Sequence, residues 1–176
     1  MRRATRGAGG VALVGIMAAT IECGKLALSF LPNVEVVTLL CALYGYVFGW
    51  LGVLAAIVFV CIEPLIYGFG AWIISYFIYW PLVALVFMAL GRARVENRLA
   101  LTGFAVLLTI LFGILSSLVD ITVLSGSFDN FLYRFGVYYA RGAVFYAVQA
   151  ACNLVLFLLA FTHLQRLLRK IAGKQS

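Results

Sequence analysis

The chain has 176 residues, of which 65% are hydrophobic and only 11% are charged, and its net charge at neutral pH is +7. A water-soluble domain of this length could not bury so much apolar surface, so this composition excludes that class and indicates an integral membrane protein. We therefore expect one all-α bundle, a single transmembrane domain over residues 1–176, whose excess apolar surface faces lipid.

Apolar runs separated by short turn-forming segments predict six transmembrane helices. The first run ends at Leu31-Pro32, because the residue before a proline favours an extended backbone. Asn33 can then cap the second helix, and Glu35 falls in its first turn, where the helix dipole favours a carboxylate. The third run is short for a full crossing, so we expect it either to start inside the turn at Gly49-Trp50-Leu51-Gly52 or to break near Glu63-Pro64. The predicted spans cover residues 9–30, 34–48, 51–62, 69–90, 99–124 and 142–164.

Basic residues are concentrated on one side of the predicted bundle. Six spans place both termini and the loop after the fourth span together, and ten of the 13 basic residues fall there. They are Arg2, Arg3, Arg6, Arg92, Arg94, Arg98, Arg166, Arg169, Lys170 and Lys174. Because basic loops stay in the cytoplasm, we predict cytoplasmic N and C termini and multi-pass insertion in a bacterial inner (plasma) membrane. The charge thus indicates topology and contact with anionic lipid, and no motif indicates nucleic-acid binding.

The sequence offers little for catalysis or metal binding. The four cysteines, Cys23, Cys41, Cys61 and Cys152, lie far apart in apolar runs, where a thiol behaves as a small hydrophobe. His163 is the only histidine, and neither a phosphate-binding glycine loop nor a hydrolase motif is present. We predict no cofactor, no metal and no enzymatic activity.

Small residues follow a four-residue spacing in the first helix. Ala8 and Ala12 form one pair and Gly15 and Ala19 another, so that each pair lies on one helix face. Such a face allows close approach of a second helix. The residues alone leave open whether that helix belongs to a partner or to this bundle. Glu22 and Lys25 follow three residues apart, close enough to pair.

The polar residues outside the basic side converge on the opposite half of the bundle. Gln149 and Asn153 share one face of the sixth helix, inside the membrane, where amides need partners. Interhelical hydrogen bonds or a bound small molecule would satisfy them. Tyr133, Tyr138 and Tyr139 stand beside arginines in a segment predicted as a loop, which suits a lid over a flat ring. The predicted ligand-binding residues are Asn33, Glu35, Tyr76, Asp120, Arg134, Tyr138, Gln149 and Asn153.

The chain resembles the substrate-binding S components of energy-coupling factor (ECF) vitamin transporters. The resemblance covers nearly the whole length: six spans, basic cytoplasmic ends and the small-residue face of the first helix. It is closest in the runs LPNVEVVTLL, FGWLG, EPLIYGFG and YFIYWPL. It implies capture of a vitamin outside the cell and delivery through a transmembrane T subunit powered by two ATPases. It also implies that the first helix docks on the T subunit, through Gly15 and Ala19 or through Ala8 and Ala12.

The substrate stays open at this level. A pocket rich in aromatic, carboxylate and amide groups suits a flat, nitrogen-rich ligand, and cobalamin or another corrinoid, a flavin and a queuosine precursor all fit. Two other classes of function remain as alternatives. One is a six-span assembly or scaffold protein without a ligand, and the other is a small intramembrane enzyme that uses Glu22 or Glu63.

Overall fold

The structure is a computed structural model that describes residues 7–32, 34–125 and 129–174. The described residues form helices joined by short connections and contain no strand, which confirms the all-α class. The helices are α1 (Ala8–Ala27), α2 (Val37–Phe48), α3 (Trp50–Tyr67), α4 (Trp72–Arg92), α5 (Arg98–Asp120), α6 (Phe131–Leu156) and α7 (Thr162–Lys174). A π-helical turn, Ile121–Ser125, extends α5, and another, Phe157–Phe161, joins α6 to α7 without a break.

Five of these helical segments are long and apolar enough to cross a membrane, counting α6, its π-helical turn and α7 as one. The exception is α2, whose 12 residues extend about 18 Å at 1.5 Å per residue, against a hydrocarbon core of about 30 Å. Nine of those 12 residues are buried, so α2 is a central helix enclosed by the others. The sequence instead predicted that the third span would be the short one.

The bundle has two chemically different ends. At the first, here called the basic end, the Tyr46 hydroxyl donates to the Val95 carbonyl over 2.8 Å, and Arg169 lies 3.4 Å from Glu96. Leu13 of α1 and Leu168 of α7 border one groove near this end. The opposite end, here called the cavity end, holds Lys25 and Glu63. Five segments of the described chain are long enough to cross a membrane between these ends, α2 is shorter, and the cytoplasmic location of the basic end stays a prediction.

Glycine contacts bring α2 close to its neighbours. A Cβ atom on Gly45 would collide with the backbone of Ala84 in α4, and one on Gly52 would collide with the backbone of Tyr44. Only a residue without a side chain allows helices to approach this closely. Helices α2, α3 and α4 therefore form a tightly packed centre on which the cavity end is built.

Three local predictions need correction. Helix α3 does not break at Glu63-Pro64 but continues to Tyr67, because Glu63 is buried in an ion pair instead of lining a polar turn. Glu35 lies before α2 and not in its first turn. The segment that contains Tyr133, Tyr138 and Tyr139 is not a loop, because α6 begins at Phe131 and makes it helical.

Candidate functional site

A cavity of about 270 Å³ opens at the cavity end of the bundle. Its walls come from the segment between α1 and α2 and from the adjoining ends of α3, α4, α5 and α6. The polar and aromatic side chains in its lining are Lys25, Ser29, Glu35, Tyr67, Tyr76, Trp80, Phe112 and Gln149. Three residues predicted from the sequence, Glu35, Tyr76 and Gln149, therefore meet in one place.

The Glu35 carboxylate is the most extensively bonded group in this lining. Thr38 donates to it twice, from its backbone N–H over 2.8 Å and from its hydroxyl over 2.5 Å. These bonds satisfy a backbone N–H in the first turn of α2, and the predicted cap, Asn33, lies outside the described residues. The amide nitrogens of Gln149 and Asn153 donate over 3.3 Å and 3.0 Å. Four donors thus hold this carboxyl group in one orientation at the cavity wall.

Asn153 supports the cavity from behind. Its side chain is fully buried, and its Nδ2 contacts both Glu35 and the Thr109 hydroxyl, each over 3.0 Å. Asn153 is not part of the lining, so it holds Glu35 in place and does not itself face the cavity. It thereby connects α6 and α5 to the start of α2.

An aromatic wall closes one side of the cavity. The rings of Tyr76 and Trp80 meet edge to face with centroids 5.6 Å apart, and Trp80 stacks on Phe112 at 6.2 Å. Trp80 is 4% exposed, and its Nε1 has no hydrogen-bond partner in the described part of the chain. A buried indole N–H normally finds an acceptor. The wall therefore offers a flat aromatic surface, and the indole N–H behind it is buried without an acceptor in that part of the chain.

The opposite side carries a buried ion pair between helices. The Lys25 ammonium of α1 pairs with the Glu63 carboxylate of α3, which is fully buried. The same ammonium lies 4.0 Å from the centroid of the Tyr67 ring and 5.4 Å from that of Tyr76. The spacing of Glu22 and Lys25 predicted a pair within α1, but Lys25 pairs across to α3.

Glu22 lies beside this pair as a second buried carboxylate. It is 7% exposed, and neither of its oxygens has a hydrogen-bond partner among the described residues. It neighbours both Glu63 and Lys25, and one oxygen of Glu63 also lacks a partner. Two carboxylates thus face one ammonium at the back of the cavity.

The other predicted ligand residues lie elsewhere. Asp120 is half-buried at the end of α5, and Arg134 and Tyr138 are half-buried in the first turns of α6. None of these three is in the lining of this cavity. Asn33 lies outside the described residues.

Several side chains in the lining or beside it were not selected from the sequence, and only the charged ones had a signal there. Lys25 and Glu63 are charges within apolar runs, which are expensive unless paired and therefore mark functional positions. Tyr67, Trp80 and Phe112 had no distinguishing signal, because an aromatic residue near a helix end is also typical of the membrane interface.

The small-residue face of α1 points away from the bundle. Ala8, Ala12, Gly15 and Ala19 are all exposed, whereas Met17, Ala18 and Ile21 pack into the core. A Cβ atom on Gly15 would meet nothing within 4 Å. Within the described residues, then, this face is not used for packing by the chain itself.

The chain matches no protein-family model, and comparisons with curated proteins and with solved structures yield no significant similarity. In the described ranges, no three His, Cys, Asp or Glu side chains are grouped closely enough to hold a metal ion. The cavity and the exposed face of α1 are therefore the two features of the molecule that indicate a function.

Proposed function

We propose that this chain is a membrane-embedded substrate-binding subunit of the ECF type, an S component that captures a vitamin or related micronutrient. Its partners would be a T subunit, two ATPase subunits and the surrounding lipid of a bacterial cell membrane. The observation that carries the proposal is the cavity at the end of the bundle opposite the basic residues, lined by Glu35, Gln149 and an aromatic wall. If the basic end is cytoplasmic, the cavity faces outward.

The lining has the composition of a small-molecule site. Such sites combine apolar and aromatic walls with a few fixed polar groups that orient the ligand. Glu35 is fixed by four donors, and Gln149 lies beside it in the same lining. These groups suit a flat ligand that carries both hydrogen-bond donors and acceptors.

The volume separates the candidate ligands. About 270 Å³ lies just below the range of about 300–1,000 Å³ that is typical of ligand pockets. A corrinoid, much larger than this, would require the cavity to open widely, whereas a one- or two-ring compound would fit with small adjustments. We therefore favour a queuosine precursor or a similar bicyclic compound over a flavin, and either of them over a corrinoid.

The exposed face of α1 supports the transport part of the proposal. Close helix packing between membrane proteins uses small residues, and Gly15 and Ala19 present them on the outside of the bundle. A partner helix could approach there without disturbing the core. This is the surface through which the resemblance expects a T subunit to dock.

The test is identification of the ligand. The full chain is expressed in a bacterial membrane, purified in mild detergent, and analysed by mass spectrometry for bound small molecules. We expect a stoichiometric, ring-containing micronutrient that is lost from the Gln149→Leu variant. The matched control is Gln165→Leu, which changes a buried glutamine at the basic end of the same helical rod and should retain the ligand. A ligand retained equally by both variants would contradict the assignment of this cavity.

A further inference from the structure

We propose that the cavity selects a ligand with a positive charge, and that Glu22 and Glu63 are the residues that make this selection. The inference rests on the proposed function, since it names the chemical class of the ligand that the same cavity takes. It comes from the charges behind the cavity wall, not from the lining alone.

The first observation is an imbalance of charge. Among the described residues that line the cavity, Lys25 is the only basic side chain and Glu35 the only acidic one. Glu22 and Glu63 both neighbour Lys25 although neither lines the cavity, so two further carboxylates share one ammonium. In a medium of low dielectric constant such an excess is costly unless a cation or a proton balances it.

The second observation is that the carboxylates have unused acceptor atoms. Both oxygens of Glu22 and one oxygen of Glu63 lack hydrogen-bond partners in the described part of the chain. Both side chains are more than nine-tenths buried. Glu35 differs, because four donors already satisfy it. The unsatisfied part of the site is therefore the pair behind Lys25.

The third observation is that the site already binds one cation. The Lys25 ammonium contacts the Glu63 carboxylate and lies over the Tyr67 ring at 4.0 Å, within reach of Tyr76. Aromatic faces beside a carboxylate form a recognised environment for organic cations. Tyr67 and Tyr76 also line the cavity, so a ligand cation beside them would experience the same rings and the same carboxylates.

A ligand cation would complete the balance. With Lys25 and one ligand charge present, the Glu22 and Glu63 pair faces two positive charges. An anionic ligand would have to compete with Glu63 for Lys25 and would leave two buried carboxylates without a counter-charge. The arrangement thus favours an ammonium or amidinium group attached to a flat ring, which would lie against the Trp80 wall.

The test uses three planar probes of nearly equal shape: benzamidinium, benzamide and benzoate, which are positive, neutral and negative. Binding to the purified full chain, freed of any co-purified ligand, is measured by isothermal titration calorimetry. We expect benzamidinium to bind at least about tenfold more tightly than benzamide, and benzoate to bind most weakly.

Two substitutions assign the effect to the buried carboxylates. Glu22→Gln replaces one acidic group beside Glu63 by an amide of nearly the same shape, so it should preserve the fold and reduce the preference for benzamidinium to about threefold or less. Glu96→Gln, an exposed change at the basic end, should leave the preference intact. A melting curve for each variant excludes unfolding as the cause.

Several results would overturn the inference. Equal binding of benzamidinium and benzamide would show that charge is not selected, and tighter binding of benzoate would assign recognition to Lys25. Failure of all three probes would also reject it, because the cavity would not accept a planar cation. In each of these cases a co-purified neutral or anionic ligand would still support the proposed function, so the two proposals fail separately.

Discussion

The Nδ2 atom of Asn153 lies 3.0 Å from the Glu35 carboxylate, although 118 residues separate the two in the chain. The same nitrogen lies 3.0 Å from the Thr109 hydroxyl, so one buried amide connects α6, α5 and the start of α2. Glu35 also faces the cavity. A contact that stabilises the bundle therefore also fixes the orientation of a group available to a ligand.

Replacement of Asn153 by Leu should affect stability and binding together. We expect the free energy of unfolding to fall by about 1–3 kcal/mol, because a charged acceptor loses a buried donor. Ligand affinity should fall more than about twofold, since Glu35 loses a restraint. Thermal unfolding in detergent and titration with the co-purified ligand measure the two effects. The control is Thr109→Val, which leaves the bond between Asn153 and Glu35 intact and should lower the free energy of unfolding by less. If Asn153→Leu binds the ligand with unchanged affinity, the contact with Glu35 serves stability alone.

The Lys25–Glu63 and Arg169–Glu96 ion pairs should differ sharply in their contribution to stability. Glu63 is fully buried, whereas the side chains of Glu96 and Arg169 are 72% and 42% exposed. Glu63→Gln should lower the free energy of unfolding by about 1–3 kcal/mol, because Lys25 loses a fully buried charged partner while Glu22 stays beside it. Glu96→Gln should change it by less than about 1 kcal/mol, since water and salt screen that pair. Chemical denaturation of both variants in one detergent makes the comparison, and equal losses would contradict the burial of Glu63.

Two glycines provide a matched test of the packed centre. Gly45→Ala should destabilise the bundle by at least about 1–3 kcal/mol, because the added Cβ collides with the Ala84 backbone. Gly103→Ala adds the same atom to a helix position with nothing within 4 Å. That variant should be neutral or gain up to about 1 kcal/mol, from the higher helix propensity of alanine. The melting temperature should therefore fall in Gly45→Ala and stay the same or rise in Gly103→Ala. A Gly45→Ala variant as stable as the parent would contradict the close packing of α2 against α4.

Much of the fold could be predicted from periodicity and charge, but the partners of buried charges could not. The helical class follows from apolar runs, since a bilayer leaves the backbone few other choices. The end of α3 was misjudged because Glu63 looks like a turn residue until Lys25, 38 residues earlier, is placed beside it. Pairing between helices depends on their rotation, which a single sequence does not specify.

In the candidate site, too, some residues could be predicted from the sequence and others could not. Glu35, Tyr76 and Gln149 could be selected because polar or aromatic residues at one depth must meet somewhere in a bundle. Asp120, Arg134 and Tyr138 were selected in the same way but do not line the described cavity, and Arg134 and Tyr138 lie about 22 and 16 Å from Gln149 along α6. Depth in the membrane is readable from sequence position, whereas the facing direction is set by packing against neighbouring helices.

Topology can be tested by cysteine accessibility. In a variant without native cysteines, Ser29→Cys lies next to the cavity and Glu96→Cys lies at the basic end. A membrane-impermeant maleimide added to intact cells should label position 29 and reach position 96 only after permeabilisation, because basic loops stay inside. Labelling of both positions from outside, or of position 96 alone, would contradict cytoplasmic termini and an outward cavity.

The exposed face of α1 gives the sharpest test of coupling to a partner. Gly15→Leu combined with Ala19→Leu adds bulk where small residues would allow a second helix to approach. Neither residue packs against the core, and Gly15 is ten residues, or about 15 Å, from Lys25 along the helix. We therefore expect the variant to fold and bind its ligand normally, but to lose co-purification with the T subunit and ligand uptake by cells.

A control of equal size separates this effect from general damage. Gly103→Leu introduces leucine at another exposed helical glycine with open space around it, on α5, and should leave uptake unchanged. The pair Ala8 and Ala12 is exposed on the same helix, so its double leucine variant tests the other docking register. One of the two double variants should uncouple binding from uptake, because a partner helix in close contact cannot accommodate leucine at its crossing point. If both transport normally, α1 is not the docking surface, and the proposed transporter role loses its mechanical support.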